Sequence, residues 1–339
     1  MKQLRMGIIG AGILGTSHAT IYSGLQNAKL VAVSDINESR AKDLAGKYGA
    51  DSYSDYEQML KDKSIDAVAV CTPDFAHRDP TVAAAEAGKH VLVEKPLATS
   101  VRDGQDMISA TRKAGVKLMV RFSNRWNPPF VRAKEALDNK ELGDLLYLYL
   151  RLSDTIYVPT GMLSWAAKST VAWFLMSHTI DLARWYAKSE AKKAYGVSRS
   201  SVLTKMGINT PDLYSAIVEF ESGAVANLES LWVLPTSHPS VFDFKMEMVG
   251  SKGSVFVDTT ERCIELYGEK QHTRPDTLGL VNIQGVNAGF MKESTAVFVD
   301  CVLDDKPVPA PGEDGLAVTK VIEAIQRSCQ QGSPMEVAH

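Results

Sequence analysis

Long hydrophobic runs, basic clusters and closely spaced cysteines are all missing from this chain of 339 residues. No apolar run reaches about eighteen residues, so no transmembrane helix is predicted and no membrane partner is expected. Lys and Arg never occur more than two in a row, and the net charge is -3 at pH 7. This pattern argues against a nucleic-acid partner, because proteins that bind nucleic acids present a basic patch to the phosphates.

The cysteines give no sign of a metal site. Cys71, Cys263, Cys301 and Cys329 lie far apart and show none of the paired spacing of a zinc site, so no metal is predicted. Reduced thiols are the simplest interpretation of such isolated cysteines. Because the cytoplasm keeps thiols reduced, a cytoplasmic location is expected.

Composition and length predict a globular protein of two domains. Hydrophobic residues make up 45% of the chain and charged residues 23%, as in ordinary globular proteins. The chain exceeds the size, about 250–300 residues, at which a single core stops growing. The hydrophobic pattern changes after residue 122, which predicts one domain over 1–122 and a second over 123–339.

The N-terminal part alternates short apolar runs with amphipathic helical stretches. Runs that are apolar throughout are typical of parallel strands covered by helices on both faces. The pattern therefore predicts an α/β domain with a doubly wound parallel sheet of the Rossmann type, whose ligand binds outside the carboxyl ends of the strands. The predicted strands are MGIIG, LVAVSD, DAVAVCT, HVLVEKP and KLMVRF.

Beyond residue 122 the strand-like runs are longer and alternate in polarity, as in SAIVEF and FDFKMEMV. Alternation indicates antiparallel strands with one buried face. We predict an α+β domain with a large, mostly antiparallel open sheet that carries helices on one face and binds a partner subunit with the other. The other predicted elements are a helix at 128–139, a strand DLLYLYLRLS, turns at 221–223 and 250–253, a loop at 268–288, and helices at 289–303 and 313–330.

The segment GAGILG places Gly10, Gly12 and Gly15 between a predicted strand and a predicted helix. The first glycine permits a tight turn, the second lets a pyrophosphate approach the backbone, and the third lets the helix pack on the strand. The amino end of the helix then attracts the anion. This loop, including Ile13 and Leu14, is predicted to bind a dinucleotide.

Asp35 ends the second predicted strand, twenty residues after Gly15. A carboxylate there can accept hydrogen bonds from both adenosine ribose hydroxyls and would repel a 2′-phosphate. NAD is therefore the favoured cofactor. Arg40 leaves NADP as an alternative, because an arginine after this strand can pair with that phosphate.

Two polar segments follow neighbouring strands at the edge where the nicotinamide is expected. Thr72, Pro73 and His77 belong to the first segment and either contact the cofactor or only shape the loop. The second segment, EKP, places Glu94 and Lys95 at the end of an apolar strand, which would be costly unless they faced a polar cleft. Lys95 can hydrogen-bond an alcohol oxygen and take part in proton transfer. Alternatively it pairs with Glu94 or another acid.

The apolar segment WFLMSHTIDLARWY contains His178 and, three residues later, Asp181. A single histidine in an apolar helix is more often a hydrogen-bonded core residue than a catalyst. With Ser177 as the N-cap, His178 would lie in the first helical turn, where the helix dipole disfavours the imidazolium. Asp181 falls on the same face and would accept hydrogen bonds from hydroxyls or fix the histidine.

Together the glycine loop, Asp35, AGKHVLVEKPLA and HTIDLARW resemble the Gfo/Idh/MocA oxidoreductase family over most of the chain. The resemblance implies a Rossmann domain followed by an α/β domain whose open sheet commonly mediates oligomer contacts, here in a homodimer or homotetramer. It also implies reversible hydride transfer between a nicotinamide cofactor and a secondary alcohol of a sugar or cyclitol. Lys95 and His178 match the family's lysine and histidine beside the reacting carbinol.

One position departs from the family pattern. Many members place an aspartate four residues before that histidine, but this chain has Phe174 there. Phenylalanine cannot relay a proton. Either Asp154 or Asp181 substitutes for the missing acid, or the lysine and histidine suffice, or activity on ordinary polyols is diminished.

Aromatic and planar side chains near these motifs suit a carbohydrate, whose C–H faces stack on rings while its hydroxyls form directional hydrogen bonds. Trp126 and Trp165 fit packing roles equally well. The candidates for substrate contact are Asp181, Arg121, Asn124, Arg125, Trp126, Tyr157 and Trp165.

The sequence therefore favours an NAD-dependent dehydrogenase or reductase that acts on a sugar, a sugar derivative or inositol. A second hypothesis is a glycosidase that oxidises its substrate transiently and recycles bound NAD. A third is a non-catalytic, dinucleotide-sensing protein, against which the presence of Lys95, His178 and Asp181 argues. The particular substrate depends on loop geometry that one sequence does not determine.

Overall fold

The computed structural model describes residues 3–260, 264–268 and 271–338. Parallel strands alternate with helices in the N-terminal part, and long antiparallel strands dominate later. None of the helices within these ranges is long and apolar enough to cross a membrane. Cys263, for which a reduced thiol is predicted, lies outside the described residues.

The chain folds into two compact units. The first runs to Ser123 and also includes Gly279–Leu316, whereas the second comprises Asn124–Leu278 and the chain from Ala317 on. The sequence-based division assigns everything after residue 122 to the second domain. It therefore does not assign Gly279–Leu316 to the first unit. The hydrophobic pattern of this segment gives no indication of that assignment.

Short apolar runs form the parallel sheet of the first unit. Its strands are β1 (Leu4–Ile9), β2 (Ala28–Ser34), β3 (Asp51–Tyr53), β4 (Ala67–Val70), β5 (His90–Val93) and β6 (Leu118–Val120), and its helices up to Ser123 are α1 (Ile13–Gly24), α2 (Glu38–Tyr48), α3 (Tyr56–Leu60), α4 (Arg78–Glu86) and α5 (Val101–Ala114). The strand order is β3-β2-β1-β4-β5-β6, and every neighbouring pair is parallel. The predicted doubly wound Rossmann sheet is confirmed, and its topological switch point lies between β1 and β4.

Longer runs form most of the strands of the second unit up to residue 278, and β13 and β14 are short. The strands are β7 (Leu145–Asp154), β8 (Ala191–Arg199), β9 (Leu213–Phe220), β10 (Val225–Leu231), β11 (Phe242–Gly250), β12 (Ser254–Asp258), β13 (Leu266–Tyr267) and β14 (His272–Thr273), and the helices are α6 (Pro128–Asp138), α7 (Ser177–Ala187) and α8 (Val202–Lys205). The predicted first helix and first strand of this region are found as α6 and β7. Both predicted turns are also present, because they join β9 to β10 and β11 to β12.

The remaining elements are β15 (Val281–Ile283), β16 (Val286–Ala288), α9 (Phe290–Leu303), α10 (Gly312–Gln331) and β17 (Met335–Glu336). The two predicted C-terminal helices are found as α9 and α10. The predicted loop at 268–288 is wrong in part, since β14, β15 and β16 lie within it. Gln284 and Gly285 have φ angles of 51° and 88° and close a two-residue turn between β15 and β16. Strands of two or three residues are too short to produce a recognisable alternation.

The seven-stranded sheet of the second unit has the order β12-β11-β7-β10-β9-β8-β17. All its neighbouring strands are antiparallel except β7 and β10. The predicted mostly antiparallel sheet is therefore confirmed. Alternate side chains are buried, as the sequence pattern requires; those of β9 are Tyr214, Ala216, Val218 and Phe220.

The other side of this sheet is its open face. Six strands each contribute one residue to a row across the open face: Tyr195, Ile217, Asn227, Tyr149, Glu247 and Phe256. Phe256 is 70% exposed and Ile217 is 47% exposed. Exposed apolar residues in the middle of a sheet mark a surface that suits association.

Candidate active site

The glycine loop between β1 and α1 is shaped by close backbone approach at two of its glycines. Gly10 has a φ of +102°, and a Cβ there would lie 2.7 Å from the carbonyl oxygen of Cys71. A Cβ at Gly15 would overlap the carbonyl oxygen of Gly10. Gly12, the N-cap of α1, has nothing within 4 Å of its Cβ position and no side-chain cap. The fold itself thus requires the first and third glycines, whereas the space around the second suits a phosphate.

Asp35 follows β2 and is hydrogen-bonded to the backbone through both carboxylate oxygens. Its Oδ2 accepts from the Ala11 N–H and its Oδ1 from the Asn37 N–H, each at 2.8 Å. These bonds hold the carboxylate beside the glycine loop, where a ribose-binding acid is expected from the sequence. Arg40 is exposed in the first turn of α2, as is Ile13 at the start of α1.

His77 connects the loop after β4 with the loop after β5. Its buried ring has Nδ1 2.8 Å from the carbonyl oxygen of Pro96 and Nε2 3.0 Å from the carbonyl oxygen of Thr72. Thr72 Oγ1 donates to the carbonyl oxygen of Ala76 at 3.0 Å. Both ring nitrogens of His77 thus face backbone oxygens, so this side chain sets the geometry of the two strand-end loops. Pro73, which follows Thr72 in the first of these loops, is half-buried.

Glu94 and Arg121 form a buried ion pair at the carboxyl ends of β5 and β6. Glu94 Oε1 lies 2.6 Å from Arg121 Nε and 2.8 Å from His18 Nε2, and the acid and the arginine are each 3% exposed. Burial alone would raise the pKa of Glu94, but Arg121 and His18 together outweigh it and hold that pKa well below its ordinary value. Burial lowers the pKa of His18, so the neutral ring donates to the carboxylate.

This arrangement changes two expectations from the sequence. Arg121, a candidate for substrate contact, is instead buried against Glu94. His18, which the motif analysis overlooks, proves to be a partner of Glu94; its signal is its place one turn after Gly15 on the buried side of α1. Lys95 follows Glu94 directly and is half-buried at this edge of the sheet.

Cys71 joins His18 and Glu94 in a cluster whose ligand atoms lie within 4.8 Å of one another. Such a set resembles a metal site in its residue types. The Arg121 guanidinium already binds Glu94 Oε1, however, and its positive charge would oppose a cation at that position. Burial raises the pKa of the Cys71 thiol well above its ordinary value, which also disfavours the thiolate that a metal needs.

The segment that carries His178 is already helical before Ser177. A π-helical turn, Ala172–Met176, runs directly into α7, and Thr170 Oγ1 accepts from the Trp173 N–H at 3.4 Å at its start. The expectation that Ser177 is the N-cap is therefore wrong, because buried apolar residues extend the helix by more than a turn. The effect of the helix dipole fades within the first turn. It therefore gives no reason for His178 to avoid the imidazolium form.

Two consecutive residues of the turn before α6 meet the side chains of α7. Asn124 Nδ2 lies 3.2 Å from His178 Nδ1. Arg125 binds Asp181 through two hydrogen bonds, Nε to Oδ2 at 2.9 Å and Nη2 to Oδ1 at 2.5 Å. The acid is 2% exposed and the arginine 9%. This bidentate pair occupies both oxygens of Asp181 and fixes the guanidinium plane of Arg125.

Phe174 belongs to an aromatic cluster of the second unit. Its ring centroid lies 6.0 Å from that of Trp165 and 5.7 Å from that of Trp232. The position of the acid expected from the family is thus filled by a packed ring. Asp154, one of the acids considered as its replacement, is buried at the end of β7.

The candidate residues therefore form one group in each unit. The first unit brings the glycine loop, Asp35, the loop from Thr72 to His77, and the Glu94-Lys95 pair to the carboxyl edge of the parallel sheet. The second unit brings Arg125, Asp181 and His178 together, and Asn124 is the neighbour of His178 that the sequence does not reveal. Trp126 is half-buried in the turn before α6, and Tyr157 is exposed just before the π-helical turn Val158–Met162.

Models of one protein family match nearly the whole chain. The model of the oxidoreductase family with an NAD-binding Rossmann fold matches residues 4–122, and the model of its C-terminal alpha/beta domain matches residues 134–337.

Individual proteins are similar over much of their length. The myo-inositol 2-dehydrogenase of Thermotoga maritima is 28% identical over 97% of this chain and 97% of its own length. The scyllo-inositol 2-dehydrogenase (NAD(+)) of Bacillus subtilis is 30% identical over 76% of this chain and 74% of its own length. The structure of GenD2 from gentamicin A biosynthesis, solved in complex with NAD, superposes with a TM-score of 0.89 at 24% identity, covering 100% of this chain and 97% of that chain. This last likeness shows a shared fold.

Proposed function

This chain belongs to the Gfo/Idh/MocA oxidoreductase family, and on that premise we propose that it is an NAD-dependent dehydrogenase or reductase acting on a sugar, a sugar derivative or inositol. The family and the NAD-binding Rossmann domain predicted from the motifs are confirmed. The observation that carries the proposal is the position of Lys95 at the same carboxyl edge of the sheet as the glycine loop and Asp35. A cofactor bound at that edge would have a lysine next to its reactive end.

The residues of the first unit would hold the dinucleotide. Asp35 would accept hydrogen bonds from the ribose hydroxyls and disfavour the 2′-phosphate of NADP, while the first turn of α1 would bind the pyrophosphate. When bound, the nicotinamide supplies the site that accepts or gives up the hydride. The proposed cofactor contacts are Gly10, Gly12, Ile13, Leu14, Gly15, Asp35, Arg40, Thr72, Pro73, His77, Glu94 and Lys95.

Lys95 and His178 are proposed as the groups that hydrogen-bond the reacting oxygen. An alcohol being oxidised needs a base for its hydroxyl proton and a donor that stabilises the negative charge developing on the oxygen. Lys95 is half-buried and directly follows the ionised Glu94, whose Oε1 binds Arg121 and His18. Arg125, whose guanidinium plane is fixed by Asp181, is proposed as a further contact of the substrate hydroxyls.

Aromatic side chains of the second unit support a ring-shaped substrate. Trp165 and Phe174 pack edge to face, and Tyr157 is 50% exposed. Aromatic faces bind the C–H face of a sugar or cyclitol. Two similar proteins are named inositol 2-dehydrogenases. We therefore propose a cyclic polyol as the substrate, with Asp181, Arg125, Trp126, Tyr157 and Trp165 as its contacts.

The test is a screen of myo-inositol, scyllo-inositol and simple sugars with NAD and with NADP, followed by the absorbance of the reduced nicotinamide. We expect NADH to accumulate in proportion to the substrate consumed. Lys95→Ala should abolish this activity, whereas Lys113→Ala, on the exposed side of α5, should retain it. A strong preference for NADP would contradict the role given to Asp35.

The same screen separates the rival functions. Cleavage of a glycoside without net NADH would identify the NAD-recycling glycosidase. Binding of NAD by the wild type without turnover of any polyol or sugar would instead favour a non-catalytic dinucleotide sensor.

We further propose that the protein is a cytoplasmic homodimer or homotetramer that associates through the open face. Exposed Phe256, Ile217 and Tyr195 on that face support association. Cys71, Cys301 and Cys329 carry free thiols, which suit a reducing compartment.

A further inference from the structure

Two buried asparagines and His178 form a hydrogen-bonded chain in the second unit. Asn127 Nδ2 donates to Asn124 Oδ1 at 3.3 Å, and Asn124 Nδ2 lies 3.2 Å from His178 Nδ1. Asn124 and Asn127 are 7% and 3% exposed. Buried side-chain amides are usually hydrogen-bonded, and here each asparagine makes at least one such bond, although Asn127 Oδ1 is buried without a partner among the described residues. These two hydrogen bonds therefore orient the imidazole ring of His178.

The direction of this chain determines which ring nitrogen carries the hydrogen. The oxygen of Asn124 accepts from Asn127, so its amino group faces His178, and an amide amino group can only donate. With both amides in this orientation, Nδ1 of His178 accepts. In the neutral ring the hydrogen is consequently on Nε2.

We propose that Asn124 is a positioning residue that holds neutral His178 in its Nε2–H form, so that His178 donates a hydrogen bond to the reacting oxygen and Lys95 is the base. This inference rests on the proposed function for the identity of the reacting oxygen. It assigns different tasks to two residues that the family resemblance places beside the same carbinol.

The proton balance follows from this assignment. In oxidation the carbinol C–H bond would break, the nicotinamide held by the first unit would accept its hydrogen with the electron pair, and the C=O bond would form. The hydroxyl proton passes to the Lys95 amine. Nε2 of His178 is already protonated and cannot take that proton, so the ring stabilises the developing charge on oxygen and keeps its own hydrogen. Reduction of the ketone is the reverse.

An asparagine suits this task and an aspartate does not. A carboxylate only accepts hydrogen bonds, so it would draw the ring hydrogen to Nδ1 and leave Nε2 as a base. Phe174 fits the same assignment, because its side chain offers no acceptor for an Nδ1–H. The acid missing from this chain and the amide at Asn124 thus favour the same tautomer.

The tautomer can be measured directly by nitrogen NMR on protein labelled with ¹⁵N-histidine, without substrate. The chain has seven histidines, and His178→Gln identifies the signal of His178. We expect a protonated Nε2 and an unprotonated Nδ1 in the wild type, and the reverse in Asn124→Asp. A protonated Nδ1 in the neutral wild-type ring would overturn the inference, since it would mean that both amides are turned over.

Kinetics of the same variants give a second readout. Asn124→Leu, which has no hydrogen bond to offer, should lower kcat about tenfold with little change in KM, and Asn124→Asp should lower it further because the neutral ring loses its donor at Nε2. Asn139→Asp, on the exposed end of α6, changes the charge equally and should behave as the wild type. Equal kcat in Asn124→Leu and wild type, with both proteins folded, would contradict the positioning role.

These results separate the inference from the proposed function. If the NMR shows Nε2–H but no polyol reacts, the tautomer assignment stands and the proposed function fails. If a polyol is oxidised while Nδ1 carries the hydrogen, the proposed function stands and this inference is wrong.

Discussion

Glu94 and Arg121 form an ion pair in which each side chain is only 3% exposed. A charge in such a place is tolerated only because its partner and further hydrogen bonds compensate it. The partner therefore decides the role of each residue: Arg121 neutralises Glu94, His18 contacts the same carboxylate oxygen, and Arg125 neutralises Asp181. None of these pairings is evident from residue type alone.

We expect Glu94→Gln to lower the free energy of unfolding by about 3–5 kcal/mol, because the substitution leaves the Arg121 guanidinium buried without a counter-charge. The measurement is the midpoint of denaturant-induced unfolding. Glu38→Gln is the matched control, since it removes an exposed pair with Lys42 and should leave the midpoint unchanged. Equal midpoints for both variants would show that the buried pair does not stabilise the first unit.

His18 should make stability depend on pH. Burial lowers its folded-state pKa below the unfolded value of 6.5, so the unfolded chain binds the extra proton more readily. The contribution of His18 to the free energy of unfolding is fully present above about pH 6.5 and decreases as the pH falls toward the lowered pKa. The contribution of Glu94 has the same sign but is lost only at much lower pH, because its folded-state pKa is well below its ordinary value.

His18→Gln keeps a donor for Glu94 but does not titrate, so its unfolding free energy should vary less between pH 7 and pH 5 than that of the wild type. Some slope should remain, because burial also lowers the pKa of His90. Unfolding curves over this pH range provide the measurement. An unchanged slope would mean that the pKa of His18 is the same in the folded and unfolded states.

At the scale of secondary-structure elements, the elements with a long, regular pattern are predicted well. Five of the six parallel strands are recognisable because they are short runs that are apolar throughout, and α6, α9 and α10 because their hydrophobic residues repeat with a helical period. The sequence does not reveal β3, a strand of three residues with no buried side chain. The beginning of the helix that carries His178 is not recognisable either, because the π-helical turn Ala172–Met176 is apolar and buried like the helix after it. Neither Ser177 nor its neighbours show locally that the helix has already begun.

The glycine loop allows a prediction that separates folding from cofactor binding. Gly15→Ala should destabilise the first unit strongly, because the new Cβ would overlap the carbonyl oxygen of Gly10. Gly12→Ala should change the free energy of unfolding by no more than about 1 kcal/mol, because its Cβ would meet nothing within 4 Å. The methyl group would nevertheless occupy the space proposed for the pyrophosphate, so NAD binding should be lost.

Calorimetric titration with NAD and thermal unfolding test this pair of variants. Gly46→Ala, in α2, is the matched control because its Cβ also meets nothing within 4 Å, and it should bind NAD normally. Normal NAD affinity in Gly12→Ala would contradict the proposed place of the pyrophosphate.

At the scale of the whole molecule, the two units differ in how completely they bury their sheets. Strand β4 of the first unit is buried along its entire length, as expected for a strand with helices on both faces. The second sheet buries alternate residues and leaves the row from Tyr195 to Phe256 on its open face. An unsatisfied apolar surface of this kind is removed from water when two copies associate.

Ile217→Asp should reduce the mass of the assembly that the protein forms in solution, because it places a charge in the middle of the row on the open face. Light scattering coupled to size-exclusion chromatography measures the mass. Met206→Asp is the control, since Met206 is an exposed apolar residue of the second unit that lies outside the sheet. A wild-type monomer, or an unchanged mass for Ile217→Asp, would contradict association through the open face.

The sequence by itself determined the fold class, the family, the glycine loop with Asp35, and the two segments that carry Lys95 and His178. These features depend on neighbours along the chain, where periodicity and motif spacing are visible. Only the tertiary structure decided the partners of the charged and polar groups: Arg121 with Glu94, and Asn124 with His178. Those partners are 27 and 54 residues apart. Their pairing depends on how separate elements pack, and burial then makes each pairing decisive for charge and hydrogen position.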